Sequence, residues 1–495
     1  MDSDFKTAQI VGVIILETKK LHGHTRKGLP IYTFIPLSHH YPMFYVPSSS
    51  KAKINQLAVI QYHDWPEGAP HPTGTCIRLL GNVSDSNVYD IALLIKNGLS
   101  DNIKSHKMGV VGDTMAQDDN LPLYKNIIVI DPAGSTDCDD GFHIDDEYLY
   151  VHIADVDHYF KESGQYEPEL LKRITSIYSI NNVYHMLPEN YASNIISLNK
   201  DGVKHTMTVV FRRAGMIFEK IIPSKVTVKW SLTYEQAKHI ITDQDNVDTH
   251  LFLQLCALSA ITGTNDTHKM IEKIMILTNE AVGKFLYDHN TNLSVYCPPP
   301  PVSDVPEELR RFGPRAIYSL EQHGHGMMGL EYYTHFTSPI RRYADLVVHR
   351  LVKTILDNDK YSSMDHLPDI VQKINEGTLN AKRYYRDQAI LKLTRLPIDG
   401  PMEAYIIDYR SLNRVSVYIK KHDIVLHTKL FSDELLPIWQ ATMTNGIIEI
   451  TKQGQHIEIP MFKSLMVTLT CLPSEIRINQ KIRVSFPAIS SVETF

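Results

Sequence analysis

Four carboxylates, Asp131, Asp137, Asp139 and Asp140, fall at the end of the apolar run that starts at Ile127. Side chains of one sign held that close repel one another and raise each other's pKa values unless a cation neutralises them, so the spacing points to a bound metal. Carboxylates outnumber the lone Cys138 and His143 here, a donor set that favours Mg2+, Mn2+ or Ca2+ over zinc. Mg2+ in particular combines one or two carboxylates with substrate phosphate oxygens. A calcium-binding loop fails on register: with Gly141 as its sixth position, the first and third would be Thr136 and Cys138 instead of acids. Taken alone, the run reads equally well as a solvated acidic turn.

A second segment bears on that choice. In Tyr333 to Arg350, Ser338 suits an N-cap, Pro339 suits the first helical position, and Ile340, Tyr343, Val347, Leu351 and Ile355 recur at helical spacing. The pattern predicts a helix whose first turn carries Arg341 and Arg342. Free backbone N–H groups and the positive dipole end already favour an anion there, and arginine ordinarily prefers the opposite end, so two guanidiniums at the start suggest a phosphate site. The alternative is an amphipathic helix whose arginines pair with Asp345 and other surface acids.

The elements that must hold these groups are legible in outline. Ile127 to Ile130 is β-branched and bounded by Asp131-Pro132, which predicts a buried strand, and Ala133-Gly134-Ser135 predicts a turn after it. Tyr148 to Val156, His205 to Phe211 and Val226 to Trp230 read as further strands, while Tyr234 to Ile241 and Lys269 to Leu286 have helical periodicity. Glu272, Asn279 and Glu280 on the last helix fit a solvated face. Residues 1–105 are rich in short β-like runs with Gly and Pro punctuation, predicting a small barrel. Within it Lys19, Lys20, His22, His24, Arg26 and Lys27 form a basic hairpin-like stretch, with Tyr32, Phe34, Tyr41 and Phe44 nearby as base-stacking platforms or as core. A polar linker, Ser105 to Leu121, precedes the acidic motif. Residues 396–495 return to β patterning and predict a second barrel, with Arg410, Arg414, Lys420 and Lys421 available to phosphates.

Composition narrows the class. A chain of 495 residues with 43% hydrophobic and 21% charged residues describes an ordinary globular protein of several domains. Its five cysteines form no C-x-x-C pair, so neither a disulfide framework nor a zinc site is indicated. A net charge of -6 excludes a uniformly basic nucleic-acid binder and requires any polyanion to be held in a locally positive groove. The N-terminus has no signal-peptide pattern and no apolar run reaches the roughly eighteen residues of a membrane span, which predicts an intracellular protein, cytoplasmic or nuclear, without membrane contact.

Asp131-Pro-Ala-Gly-Ser-Thr-Asp-Cys-Asp-Asp140 and His335-Phe-Thr-Ser-Pro-Ile-Arg-Arg-Tyr343 together resemble the catalytic domain of the ribonuclease II family of exoribonucleases. Val151-His-Ile-Ala-Asp-Val156, Thr175-Ser-Ile-Tyr178, Met186-Leu-Pro188 and Met275-Ile-Leu-Thr-Asn279 match between them, in the family's order. Gly12, Phe34-Ile-Pro36, Tyr41-Pro42, Trp65, Pro72-Thr-Gly74 and Leu80-Gly81 are similar to the cold-shock-type OB domain of eukaryotic exosome-type members, whose N-terminal endonuclease domain finds no counterpart here. The resemblance implies a multidomain α+β protein: an OB-fold RNA-binding domain over 1–105, a mixed α+β catalytic domain over 106–395, and a C-terminal OB-fold domain over 396–495. It implies a 3′-to-5′ exoribonuclease that degrades single-stranded RNA to nucleoside 5′-monophosphates, with Mg2+, or Mn2+ in its place, held by Asp131, Asp137, Asp139 and Asp140. Asp139, Asp140 and Arg341 would be catalytic, Tyr178 would stack on the 3′ nucleotide, and Arg342 and Arg386 would contact substrate. The chain departs from the family over residues 290–320, where one wall of the terminal-base clamp cannot be assigned, and at Tyr385, where a glutamate is common. A monomer is expected, and membership of a larger RNA-decay complex stays open. The rival reading is a catalytically inactive member acting as an RNA-binding regulator. Missing acids would mark it, and all four are present.

Overall fold

The structure, a computed structural model, describes residues 7–99, 120–162, 164–243, 248–299, 305–312, 315–357, 366–411, 413–431, 440–444, 446–452 and 455–487. The expected linker over Ser105 to Leu121 lies outside them up to residue 119. The chain divides into two compact units, one drawn from Met1–Asp101, Pro300–Gly313 and Leu379–Phe495, the other from Asn102–Pro299 and Pro314–Thr378.

The first unit contains a closed five-stranded barrel. Its strands are β1 (Gln9–Ile14), β2 (Ile31–Pro36), β3 (Phe44–Pro47), β4 (Gln56–Asp64) and β5 (Thr73–Asn82), in the order β1-β2-β3-β5-β4. Alternation along the strands turns Ile10, Ile14, Phe34, Phe44, Val46, Ala58 and Ile60 into its core. A Cβ at Gly12 would lie 2.5 Å from the Phe34 ring, so the ring fills the space that any other residue would need. Helix α1 (Ser86–Lys96) follows, its first N–H groups capped by the Asp85 carboxylate. The C-terminal part adds a five-stranded sheet in the order Ile424–Lys429, Arg414–Ile419, Pro401–Ser411, Ser464–Cys471, Ile482–Ser485, and a three-stranded one of Gln440–Thr444, Ile447–Lys452 and Gln455–Pro460. The architecture is the multidomain α+β one expected, with an OB-type cold-shock barrel beside the mixed unit in the chain, while among the described residues the C-terminal strands, expected as a second barrel, form two sheets that do not close.

The second unit holds another closed barrel: β6 (Leu123–Asp131), β7 (Asp140–Ile144), β8 (Tyr148–Ala154) and, after the short pair β9 (Ile177–Tyr178) and β10 (Val183–Tyr184), β11 (Lys204–Arg212) and β12 (Ile217–Thr233). The order is β11-β12-β6-β7-β8, with β6 and β12 parallel and the other neighbours antiparallel. Ile127 to Ile130 are buried in its core, as their β-branched run predicts. Because β6 stops at Asp131 and β7 starts at Asp140, the connection between them carries every acid of the motif. A Cβ at Gly141 would sit 2.8 Å from Ile127 Cγ2, so glycine there lets β7 close against β6. The unit's helices are α2 (Val156–Tyr159), α3 (Glu167–Arg173), α4 (Tyr234–Asp243), α5 (Thr249–Thr262), α6 (Thr267–Asp288) and α7 (Tyr343–Asp357), while α8 (Leu367–Leu393) gives residues to both units.

One expected boundary is corrected. Helix α7 starts at Tyr343, not at Pro339. Ser338 to Arg342 form a turn instead, in which the Arg341 and Arg342 N–H groups donate to the Ser338 carbonyl at 3.3 and 2.9 Å. Ser338 does not cap because its groups are engaged elsewhere: its N–H donates to Asp345 Oδ1 at 2.8 Å, and its hydroxyl accepts from Arg341 Nη2 at 2.9 Å. The Tyr343 N–H, at the first position of the helix, donates to the Ile174 carbonyl at 2.8 Å.

Buried charges fix α7 to the barrel side. Arg350 grips both Glu167 carboxylate oxygens at 2.8 Å, donates to the Phe160 carbonyl at 2.9 Å and reaches Asp157 Oδ1 at 3.2 Å. Lys353 donates to Asp155 at 2.7 Å and Asp157 at 3.0 Å. Burial works against ionising Asp157, but Lys353, Lys161 and Arg350 overcome it and hold the carboxyl down at about 2. Removing one partner strands a desolvated charge. Arg350→Met should therefore destabilise this unit by roughly 3–5 kcal/mol in denaturant titrations, and adding Glu167→Gln should restore part of the loss. A cost below about 1 kcal/mol, the range of exposed pairs, would show that the network does not hold the helix.

Candidate active site

The connection Asp131 to Asp140 is held from three sides. Ser197 accepts the Cys138 N–H at 3.0 Å and donates to the Thr136 carbonyl at 2.8 Å. The Cys138 carbonyl accepts from Leu198 N–H at 2.9 Å and the Asp139 carbonyl from Ala154 N–H at 2.8 Å. The third support comes from the second motif: the Ile340 N–H donates to Asp139 Oδ1 at 2.8 Å, and Arg341 Nε lies 3.4 Å from Asp139 Oδ2. Two segments some two hundred residues apart thus meet at one carboxylate.

The electrostatics are those of an under-neutralised anion cluster. Asp131 Oδ2, Asp139 Oδ2 and Asp140 Oδ2 are all shut off from solvent and accept no hydrogen bond. Burial and the charge of Asp131 push Asp140 up to about 8, against the opposing pull of Arg341. Burial likewise raises Asp139 well above the usual carboxylate range despite Arg341 and the Ile340 N–H, and it raises Asp131, where a hydrogen bond from the Cys138 thiol works the other way. Desolvated oxygens lacking donors are what a divalent cation would satisfy, and an all-oxygen set suits Mg2+ or Mn2+. Among the described residues no three His, Cys, Asp or Glu side chains have closed into a cage. Water and phosphate oxygens would have to complete the coordination, as is usual for Mg2+.

The remaining candidates separate. Tyr178, at the end of β9, is 39% exposed and its hydroxyl donates to Asp137 Oδ2. Arg341 and Arg342 do not converge: Arg341, its side chain 44% exposed, faces Asp139, whereas Arg342 Nη2 donates to the fully buried Asp345 at 2.7 Å. Arg342, expected to contact substrate, is paired with Asp345. Arg386 belongs to the other unit, where Nη2 lies 3.6 Å from Asp387.

Three positioning residues, Asn279, Gly283 and Ser197, escape a sequence reading. Asn279, expected on a solvated face, is buried: Oδ1 accepts the Phe336 N–H at 2.9 Å, and its carbonyl accepts the Thr334 N–H at 3.4 Å. Its neighbour Gly283 lets α6 approach that same segment, since a Cβ there would lie 3.1 Å from the Tyr333 nitrogen. Ser197 acts through backbone groups, for which side-chain identity gives no warning. The one available signal was the adjacent polar pair Thr278 and Asn279 on an otherwise apolar face.

The RNB domain family model matches residues 123–264 and 302–358, the segments that carry the barrel strands, the acids and the basic turn, and the Dis3-like cold-shock domain 2 model matches residues 31–98. The chain thus carries an RNB domain, with a segment matching the Dis3-like cold-shock domain ahead of it. It is 24% identical to the probable exosome complex exonuclease RRP44 of Caenorhabditis elegans over 90% of this chain and 59% of that protein. The structure of Mycoplasma genitalium RNase R in complex with ribose-methylated single-stranded RNA superposes with a TM-score of 0.78 at 17% identity, covering 97% of this chain and 90% of that one. Yeast Ssd1, described as a pseudonuclease, superposes with a TM-score of 0.63 at 17% identity, covering 92% of this chain and 68% of that one. The chain spans about three fifths of the length of the curated relatives it matches. Among the described residues no helix is long and apolar enough to cross a membrane.

The raised Asp140 yields a test without RNA. Its carboxyl moves from 3.8 to about 8 on folding, so the folded protein holds a proton that the unfolded chain has released. That contribution is full below pH 3.8 and is lost as pH rises through about 8. Asp140→Asn removes the penalty, so in EDTA the variant should gain on the wild type between about pH 5 and pH 9, by up to a few kcal/mol in melting experiments. Parallel pH profiles for the two proteins would mean the carboxylate is not strained.

Proposed function

We propose that this chain is a 3′-to-5′ exoribonuclease that hydrolyses single-stranded RNA to nucleoside 5′-monophosphates. The observation that carries the reading is the contact of Asp139 with both Ile340 and Arg341, which joins desolvated carboxylates to an exposed guanidinium in a chain that carries an RNB domain. Relatives named ribonuclease R and exosome exonuclease support it. Asp131, Asp137, Asp139 and Asp140 would hold Mg2+ or Mn2+. When bound, the cation supplies charge that activates water and stabilises the departing 3′ oxygen. Arg341 neutralises the scissile phosphate, its planar fork able to donate two parallel hydrogen bonds. Arg342, latched to Asp345, keeps the turn that presents Arg341 in shape. The Tyr178 ring offers a sequence-tolerant face to the terminal base. Arg386, taken from the resemblance alone, adds a phosphate contact.

The direct experiment is end-labelled single-stranded RNA incubated with and without Mg2+, read for stepwise release of nucleoside 5′-monophosphates. Binding without hydrolysis would favour the regulator reading, which the likeness to a pseudonuclease fold keeps in view. Arg341→Lys retains charge but loses the fork, so kcat should fall about ten- to a thousandfold, or roughly 1.4–4 kcal/mol, while RNA affinity changes much less. The same change at Arg342 should register in melting temperature first, because it breaks a buried pair. Equal kcat for Arg341→Lys and wild type would remove Arg341 from the chemistry.

A further inference from the structure

Three acids of the cluster each leave a buried carboxylate oxygen without a hydrogen bond, and the fourth is treated differently. Asp137 Oδ2 accepts the hydroxyl of Tyr178, although Asp137 is itself only 8% exposed. Tyr178 reaches it from β9, which pairs with β10 through Tyr178 and Val183 and is continued from Thr175, whose hydroxyl donates to the Arg341 carbonyl at 2.9 Å. The Ser176 N–H also donates to the Arg341 carbonyl, at 3.0 Å. The short strand is therefore tied at its base to the arginine turn and at its tip to the acidic connection. A phenol at neutral pH is protonated, and toward a carboxylate it can only donate.

We infer that the Tyr178 hydroxyl positions Asp137 as a cation ligand, so that one side chain serves the terminal base with its ring and the metal site with its hydroxyl. This rests on the metal-dependent reading above. The hydroxyl holds Asp137 in one orientation among acids that repel it, and a carboxylate gripped through one oxygen has a second to offer a cation. Outer hydrogen-bond partners of this kind set ligand orientation, and their loss typically weakens metal binding about ten- to a hundredfold. A base platform alone would need the ring and not the hydroxyl.

Tyr178→Phe separates the two roles, because it keeps the ring. Mg2+ binding is measured on the full chain without RNA, by calorimetry and by the Mg2+-dependent rise in melting temperature. The Phe variant should bind Mg2+ about tenfold or more weakly, while its affinity for a short single-stranded RNA in EDTA stays within about twofold of wild type. Tyr178→Ala should lose both. Because the effect runs through Asp137, Tyr178→Phe combined with Asp137→Asn should bind Mg2+ no more weakly than Asp137→Asn alone, a non-additivity that a general loss of stability does not produce. A Phe variant that binds Mg2+ as tightly as wild type, or more tightly, overturns the inference and leaves the metal reading intact. A wild-type protein indifferent to Mg2+ overturns both.

Discussion

Ile340 donates its backbone N–H to Asp139 Oδ1, and through that bond a turn built around residue 340 is held against a connection that ends at residue 140. The bond is buried at both ends, so water cannot replace it, and a charge-assisted bond of this kind is among the stronger single contacts a fold can make. Everything around it keeps the two segments in register. Ser197 and Ala154 hold the acidic side, and Asp345 and Ile174 hold the turn. Arg350 and Lys353 fasten the helix behind the turn to Glu167, Asp155 and Asp157.

The same construction explains why stability and chemistry pull apart here. In the ion network each buried charge has opposite partners, and Asp157 stays ionised with ease. At the end of β6 Arg341 is the cation that faces the acids, and burial outweighs it, pushing Asp131, Asp139 and Asp140 upward. One cluster is balanced by protein groups; the other is left short of positive charge. Strained carboxylates of this sort mark functional sites more often than structural ones.

Much of this was open to a reader of the chain. Ile127 to Ile130 had to be a buried strand, and the acids beyond it had to lie close together, because a short connection leaving a strand end has little room to spread its side chains. The basic turn was also visible, but its conformation was not. Ser338-Pro339 carries a strong helix-start signal, but the Ser338 hydroxyl that would cap is taken by the Arg341 side chain, and the regular helix starts only at Tyr343. Local propensity gave way to a contact that spacing rules do not weigh. Asn279 was misplaced for a related reason: an amide that bonds a neighbouring segment's backbone is indistinguishable in sequence from one that faces water. Arg341 and Arg342 part because neighbouring residues do not share a face even on a helix, and here Asp345 takes one guanidinium while Asp139 faces the other.

The separation of the two motifs along the chain has a consequence for biosynthesis. The Asp139 carboxylate and the Ile340 N–H are 201 positions apart. At the usual pace of translation, about 5–20 residues per second, roughly 10–40 s pass between the emergence of one and of the other. During that interval the acids have no Arg341 to face and no turn to bury them. They remain hydrated and soluble, and the nascent barrel carries no working centre. The centre is assembled as a late event, by closure of a long loop whose entropic cost must be met before its contacts form. A ribosome-bound fragment that stops short of the arginine turn therefore carries the acids without the Ile340 N–H and the Arg341 guanidinium that meet them.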